Sequence, residues 1–267
     1  MSLFRTNESK SGEMSFFEHL DALRPRLIRS AAMLLLLVCV MFALKRQLMA
    51  VITGPESPDF PTNRFFAYLA GVLSSDVLRI NERPLTLINT AMAGQFNLHL
   101  SLSFYAALIF AVPYLLWEMW GFVKPALTER ELNASRRFVL YVTLCFFAGV
   151  SFGYFLLAPL SVNFLSNYVV SDEIANMIDM ESYVALVLNL SFVCGAVFLL
   201  PVVTWLLSRA GILKASFMKR YRRHALVTLA ALAAVVTPPD VASMVLVLLP
   251  LYGLYELSIG IAKKHNP

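Results

Sequence analysis

Six times along this chain the sequence turns apolar for long enough, or nearly long enough, to cross a lipid bilayer. That recurrence limits the fold more than any other feature. The hydrocarbon core is about 30 Å thick and takes about 20 apolar residues to span as a helix. Within it every backbone N–H and C=O needs a partner, so runs of this kind can cross only as helices. They fall at about 27–44, 102–117, 138–165, 183–207, 225–237 and 241–262. Composition agrees, with 58% apolar and 15% charged residues, where a soluble domain carries about 25% charged. The chain is expected to be an all-α integral membrane protein with six transmembrane helices.

The segments between the runs are uneven. Residues 1–13 are polar and are expected to form a disordered tail. They show no cleavable signal pattern, so the first run is expected to be a permanent anchor. Residues 14–26 read as an amphipathic helix lying on the membrane. Phe16, Leu20, Leu23 and Leu27 fall within roughly 60° of one another, with Glu18 and Asp21 facing away. Ser15 with Glu18 fits a capping box. Pro25 is expected to mark the junction with the first span, and Arg29 to snorkel from its end. The long segment 47–101 holds Pro55, Pro58, Pro61 and Pro84 and should cap one face of the bundle, with FFAYLAGVL as a short amphipathic helix. Pro113, Pro159 and Pro201 should kink or interrupt spans 2, 3 and 4. Span 5, from Ala225 to Val236 ahead of TPPD, reaches only about 20 Å. Residues 264–267 are expected to form a short tail.

Lysine and arginine set the orientation. Five precede span 1 or lie at its start, four follow span 2, six follow span 4 and two follow span 6. None follow spans 3 and 5. The five after span 1 sit in a long loop, and such loops cross largely regardless of charge. Both termini are therefore expected in the cytoplasm. The net charge of +5 is segregated into these loops, so it does not point to nucleic acid.

Enzyme signatures are absent: there is no HExxH, GxSxG, Walker A or GxGxxG. Cys39, Cys145 and Cys194 lie in apolar runs without metal-ligand or disulfide spacing. Midplane charges and two related halves, which a small-solute secondary transporter would show, are not evident; that function stands as the alternative. Polar residues inside the spans are few. Asn189 reads as an interhelical hydrogen-bonding residue. Glu256 fits either an intramembrane functional acid or a residue at the interface of a short last span.

The most informative stretch is LWEMWGFVKPALTERE, Leu116 to Glu131. It reads as a shaped loop. Trp117 and Trp120 suit the membrane–water boundary, Pro125 stiffens the turn, and Glu129 and Glu131 follow. Together with Glu18 and Asp21 they place carboxylates on the face that should be basic. A carboxylate takes two parallel hydrogen bonds from a guanidinium, which an ammonium cannot supply. These acids therefore fit a dock for arginine, or else local ion pairs with Arg24, Arg130 or Arg136.

In order and spacing, FFEHLDALRPRL, PYLLWEMWGFVKPALTERE, FGYFLLAPLSVNFL, the RAGIL turn and TPPDVASMVLVLLPLYGLYE resemble the TatC family. This family is the multispanning receptor of the twin-arginine protein translocase. The resemblance covers about residues 15–263. It implies six spans in a cupped arrangement with cytoplasmic termini, in a bacterial inner membrane. It implies binding of twin-arginine signal peptides and export of folded proteins driven by the proton-motive force. Implied partners are single-span TatA-type and TatB-type subunits and other copies of the chain, with no enzymatic activity and no cofactor. By motif match Glu131 and Phe122 take the functional positions of the first cytoplasmic loop, and Pro125 its proline. Two departures stand out. Ala22 occupies the position of the usual N-terminal acid, so Glu18 and Asp21 are expected to supply that charge. Leu199 and Leu200 replace the polar residue usual before the span-4 proline, which leaves Glu256, and more distantly Asn189, as polar sites for a partner helix.

Overall fold

The computed structural model describes residues 16–74, 79–81, 85–123, 129–171, 176–209, 211, 213–237 and 241–265. The tail 1–13, Ser15 of the expected capping box and Pro125 lie outside them. Of residues 264–267 only Lys264 and His265 are described, as helix backbone. The first helix, α1, runs unbroken over Phe16–Ala43 and carries Pro25 inside it. The expected junction at Pro25 is therefore not a break. Proline removes one intrahelical hydrogen bond, and where the helix leaves the apolar run water can satisfy the carbonyl set free.

After α1 the chain builds a cap from α2 (Lys45–Ile52), a 3₁₀ turn (Gly54–Glu56) and α3 (Pro61–Leu73). The expected helix at FFAYLAGVL is the body of α3. Pro61 sits in its first turn, where a missing N–H costs nothing. A two-residue strand β1 (Leu87–Ile88) pairs in parallel with β2 (Ile178–Asp179), joining the two loops on this face. This pairing is an addition to the otherwise helical expectation.

The cap is pinned by asparagines. Asn63 donates to the carbonyls of Pro55 and Ser57 at 3.0 and 2.7 Å. The Asn81 amide donates to Pro55 and Pro159 carbonyls at 3.2 and 2.9 Å, and its backbone N–H to Asn163 Oδ1 at 3.0 Å. Asn81 has φ of 49°, a left-handed conformation that asparagine tolerates better than most residues. Both side chains are buried, so these bonds replace water that the site excludes.

The second span is α4 (Gly94–Val123), with Pro113 inside it. It starts earlier than expected and continues past Trp117. The stretch from Leu116 to Val123, expected as loop, is helix, because no breaker occurs before Pro125. Helix α5 (Glu129–Phe152) follows, then a π-helical turn (Gly153–Leu157) and α6 (Ala158–Asn167). Pro159 explains the irregular turn. It has no N–H for the carbonyl four residues back, that of Phe155, and its ring crowds that carbonyl. The Thr62 hydroxyl of α3 donates to it instead. The interruption expected in span 3 thus becomes the attachment point of the cap.

Helix α7 (Met180–Val197) is the centre of the bundle, capped at its start by the Asp179 carboxylate, which accepts from the backbone N–H groups of Glu181 and Ser182. It packs on α4, α5 and the π turn. A Cβ on Gly149 would lie 2.5 Å from the Cys194 carbonyl oxygen, and one on Gly153 would lie 2.7 Å from that of Leu190. The two glycines, four residues apart, let two helix backbones touch, as small residues do at membrane helix interfaces. The chain then breaks at Phe198–Leu199, just before Pro201, and resumes as α8 (Leu200–Arg209). The short α9 (Ala215–Arg220), α10 (Arg222–Val236) and α11 (Val241–His265) complete the chain.

Five segments among the described residues are long and apolar enough to cross a membrane: Leu23–Ala43, Gly94–Gly121, Val139–Asn167, Met180–Ser208 and Met244–Lys263. The fifth expected span, the one not among these, corresponds to α10, whose 15 residues make about 22 Å of helix.

Candidate functional site

At one end of the bundle α1 meets the last turns of α4. Arg29 Nε lies 3.5 Å from Glu118 Oε1, and the Tyr114 hydroxyl donates to the same oxygen at 2.9 Å. Arg26 donates from Nη1 to the Glu118 backbone carbonyl at 3.2 Å. Its guanidinium lies over Gly121, where a Cβ would come within 2.5 Å of Nη1. The pair is lopsided: the Glu118 side chain is 7% exposed and that of Arg29 58%. The carboxylate is held inside the helix contact, while the cation covers it from outside. The sequence predicts only snorkelling for Arg29; it snorkels onto a carboxylate.

Glu118 escaped the sequence reading although the signal was present. It is a lone acid in an apolar helix, and two arginines stand in α1 at a spacing of three, on one helix face. Trp120 differs from expectation as well. It is buried, whereas Trp117 faces outward, so only Trp117 has the exposure of an interfacial anchor.

Apart from Pro125, the residues expected to bind a ligand lie on these two helices and on α5. Phe122 lies in the last turn of α4, Glu129 and Glu131 in the first turn of α5, and Glu18 and Asp21 in the first turns of α1. Their side chains lie outside the described residues, as does Pro125 entirely. Helix placement alone bears on the carboxylates of α5, because the positive end of the helix dipole favours anions in a first turn.

The two polar residues expected inside the spans have separate settings. Asn189 of α7 accepts a hydrogen bond from the Tyr105 hydroxyl of α4 at 3.1 Å, the interhelical role read from the sequence. Glu256 of α11 accepts from Arg222 Nη2 at 2.7 Å and from the Tyr252 hydroxyl at 3.1 Å. Its partner opens α10 directly after the basic turn, and its side chain is 34% exposed. These contacts favour the interfacial reading of Glu256. At the opposite end, within the cap, burial raises the pKa of Glu56 above the usual carboxylate value. Among the described residues no group of histidine, cysteine and acidic side chains is arranged to hold a metal ion.

A polytopic helical membrane protein with a charged clamp at one end and a pinned loop cap at the other is the class these observations define. The family model for TatC, Sec-independent protein translocase protein, matches residues 18–250. The chain belongs to this family, and so is a translocase component of the bacterial inner membrane and not an enzyme. It is 33% identical to the Sec-independent protein translocase protein TatC of Blattabacterium sp. subsp. Periplaneta americana, over 96% of this chain and 97% of that one. To the TatC of Deinococcus radiodurans it is 33% identical over 92% and 85%. Its fold matches a crystal structure of the twin arginine translocase receptor TatC with a TM-score of 0.71 at 26% identity, covering 93% of this chain and 99% of that one.

Proposed function

We propose that this protein receives twin-arginine signal peptides at the end where α1, α4 and α5 meet. Glu131 and Phe122 are the principal contacts, Glu18, Asp21 and Glu129 are further carboxylates, and Pro125 shapes the connection. The observation that supports this reading is that Phe122 and Glu131 lie in the helical turns on either side of residues 124–128, with α4 packed on α1. A guanidinium pair needs carboxylates on a rigid support, and helix ends supply one. The function follows from family membership: a core subunit that exports folded proteins using the proton-motive force, with TatA-type and TatB-type single-span subunits and further copies of the chain as partners.

The topology belongs to the same proposal. Six spans, with both termini cytoplasmic, put all the strongly basic connections on one side. The short α10 then requires a locally thinned bilayer. Cysteine placed at Lys219 or Lys263 should react with an impermeant maleimide only from the cytoplasmic side; reaction from the outside would reject this topology.

Photo-crosslinking from positions 122 and 131 tests the receptor site. A paired-arginine peptide should label strongly and a paired-lysine peptide weakly, and Glu131→Ala and Asp21→Ala should each reduce labelling. Equal labelling by both peptides would remove the arginine dock.

A further inference from the structure

Between α8, α9, α10 and α11 lies an open cavity of about 300 Å³. Leu200, Leu213, Phe217, Met218 and Ala225 contribute to its wall. Five hydroxyl-bearing residues line it, Thr204, Tyr221, Thr228, Tyr255 and Ser258, and three of them are occupied by backbone. Thr228 donates to the His224 carbonyl at 3.0 Å, Ser258 to Leu254 at 2.7 Å and Tyr255 to Met218 at 2.9 Å. With those protons committed to backbone, the cavity suits hydrocarbon better than water, which needs two to four polar partners.

The mouth is different. Phe217 and Tyr221, 54% and 40% exposed, lie with ring centroids 4.5 Å apart. Next to them in sequence Lys214, Lys219, Arg220 and Arg223 are exposed, and among the described residues none of the four is in an ion pair. Arg222, which neighbours them, is already held by Glu256. A neutral apolar ligand would have no use for the four cations. A free inorganic anion would have none for the cavity. Both are used by one class of molecule that a membrane supplies, an anionic glycerophospholipid.

We propose that this cavity is a binding site for one anionic phospholipid of the phosphatidylglycerol type. An acyl chain fills the cavity, and the headgroup phosphate is held by cations of the α9–α10 turn. The aromatic pair lies at headgroup level between the two. Such a lipid would brace α10 against α8 and α11, where the protein itself leaves space.

The test uses the full-length protein in nanodiscs containing phosphatidylglycerol or phosphatidylcholine with a diazirine on one acyl chain. Crosslinks are mapped by peptide mass spectrometry. Each cation at an anionic headgroup favours binding by about fivefold, so phosphatidylglycerol should label the cavity residues over phosphatidylcholine by at least about tenfold. Ala225→Phe, which fills the cavity, should remove that labelling while labelling of the lipid-facing Leu35 and Leu36 on α1 persists, showing that the variant is inserted and folded. The combined K219Q, R220Q and R223Q variant should bring the two lipids to parity. Equal labelling of the cavity by both lipids in the unaltered protein would overturn the proposal. So would labelling that survives Ala225→Phe, or a cavity labelled by neither lipid, the result expected if a protein segment occupies it.

Discussion

Helices α1 and α7 both cross the apolar layer, and they are held in opposite ways. In α7 and its continuation α8, 39% of the apolar window is buried within the protein, against 6% for α1. Helix α7 is fixed by steric fit, with the backbones of α5 and α7 in contact at Gly149 and Gly153. Helix α1 presents Leu27, Ile28, Leu35 and Leu36 outward, which lipid accommodates at no cost. It is tied at one end by Arg26 and Arg29 on Glu118, and at the other by His99 Nε2, 3.0 Å from the Phe42 carbonyl, with the two rings stacked. Lipid is as apolar as leucine, so apolar area alone does not press membrane helices together. Close approach or directional polar contact must do it; α7 combines its close approach with the Tyr105–Asn189 hydrogen bond, and α1 relies on polar contacts. The central helix is locked by fit, and α1 is held by polar contacts at its two ends.

That contrast can be broken most directly at Gly149. Gly149→Leu should cost more than about 3 kcal/mol, because a side chain driven into a backbone carbonyl has no flexible neighbour to displace. Loss of folded protein by size-exclusion chromatography in detergent is the expected readout, and a well-folded variant would show that the α5–α7 contact is not steric. The clamp of α1 should respond asymmetrically. Arg29→Ala leaves a buried carboxylate without its cation and should cost about 3 kcal/mol. Glu118→Gln leaves only an exposed cation and should cost about 1 kcal/mol. Thermal melts of the two variants in detergent test this order, and equal shifts would mean that the pair carries no burial asymmetry.

Two further changes sharpen the comparison at the cap. Asn81→Ala removes the amide bonds to two carbonyls and should cost about 2 kcal/mol, with limited proteolysis opening the cap before the bundle. Glu56→Gln should have the smallest effect and a definite sign. The folded protein holds the Glu56 proton to a higher pH than the unfolded chain does. Its contribution to stability is therefore greatest at acid pH and falls as pH rises through the raised value. The glutamine variant should flatten that fall and raise the melting midpoint at neutral pH by about 2 °C. A midpoint that drops instead would place a favourable partner on the charged form.

Much of the architecture was legible in the chain because a bilayer asks for so little information. Length, hydropathy and the prolines pointed to the five membrane-length helices, the interruption near Pro159 and the helix at α3. The helical continuation of α4 through Trp120 was missed because aromatic residues at an interface read equally well as loop or helix. The Gly149–Gly153 contact carried a recognisable GxxxG signal but needed α7 as a partner to acquire meaning.

By itself the sequence determined that the chain is a helical membrane protein and, through ordered motifs, which family it joins. Those properties depend on local composition and near-neighbour spacing, which the solvent reads directly. Only the tertiary structure decided which polar groups meet. Arg29 and Glu118 are far apart in sequence, as are Arg222 and Glu256, Tyr105 and Asn189, and Asn81 and Pro159. Such pairs are selected by helix packing angles and by where a proline frees a carbonyl, and no local pattern encodes them. The same packing left the space between α8 and α10 that no single helix would have revealed.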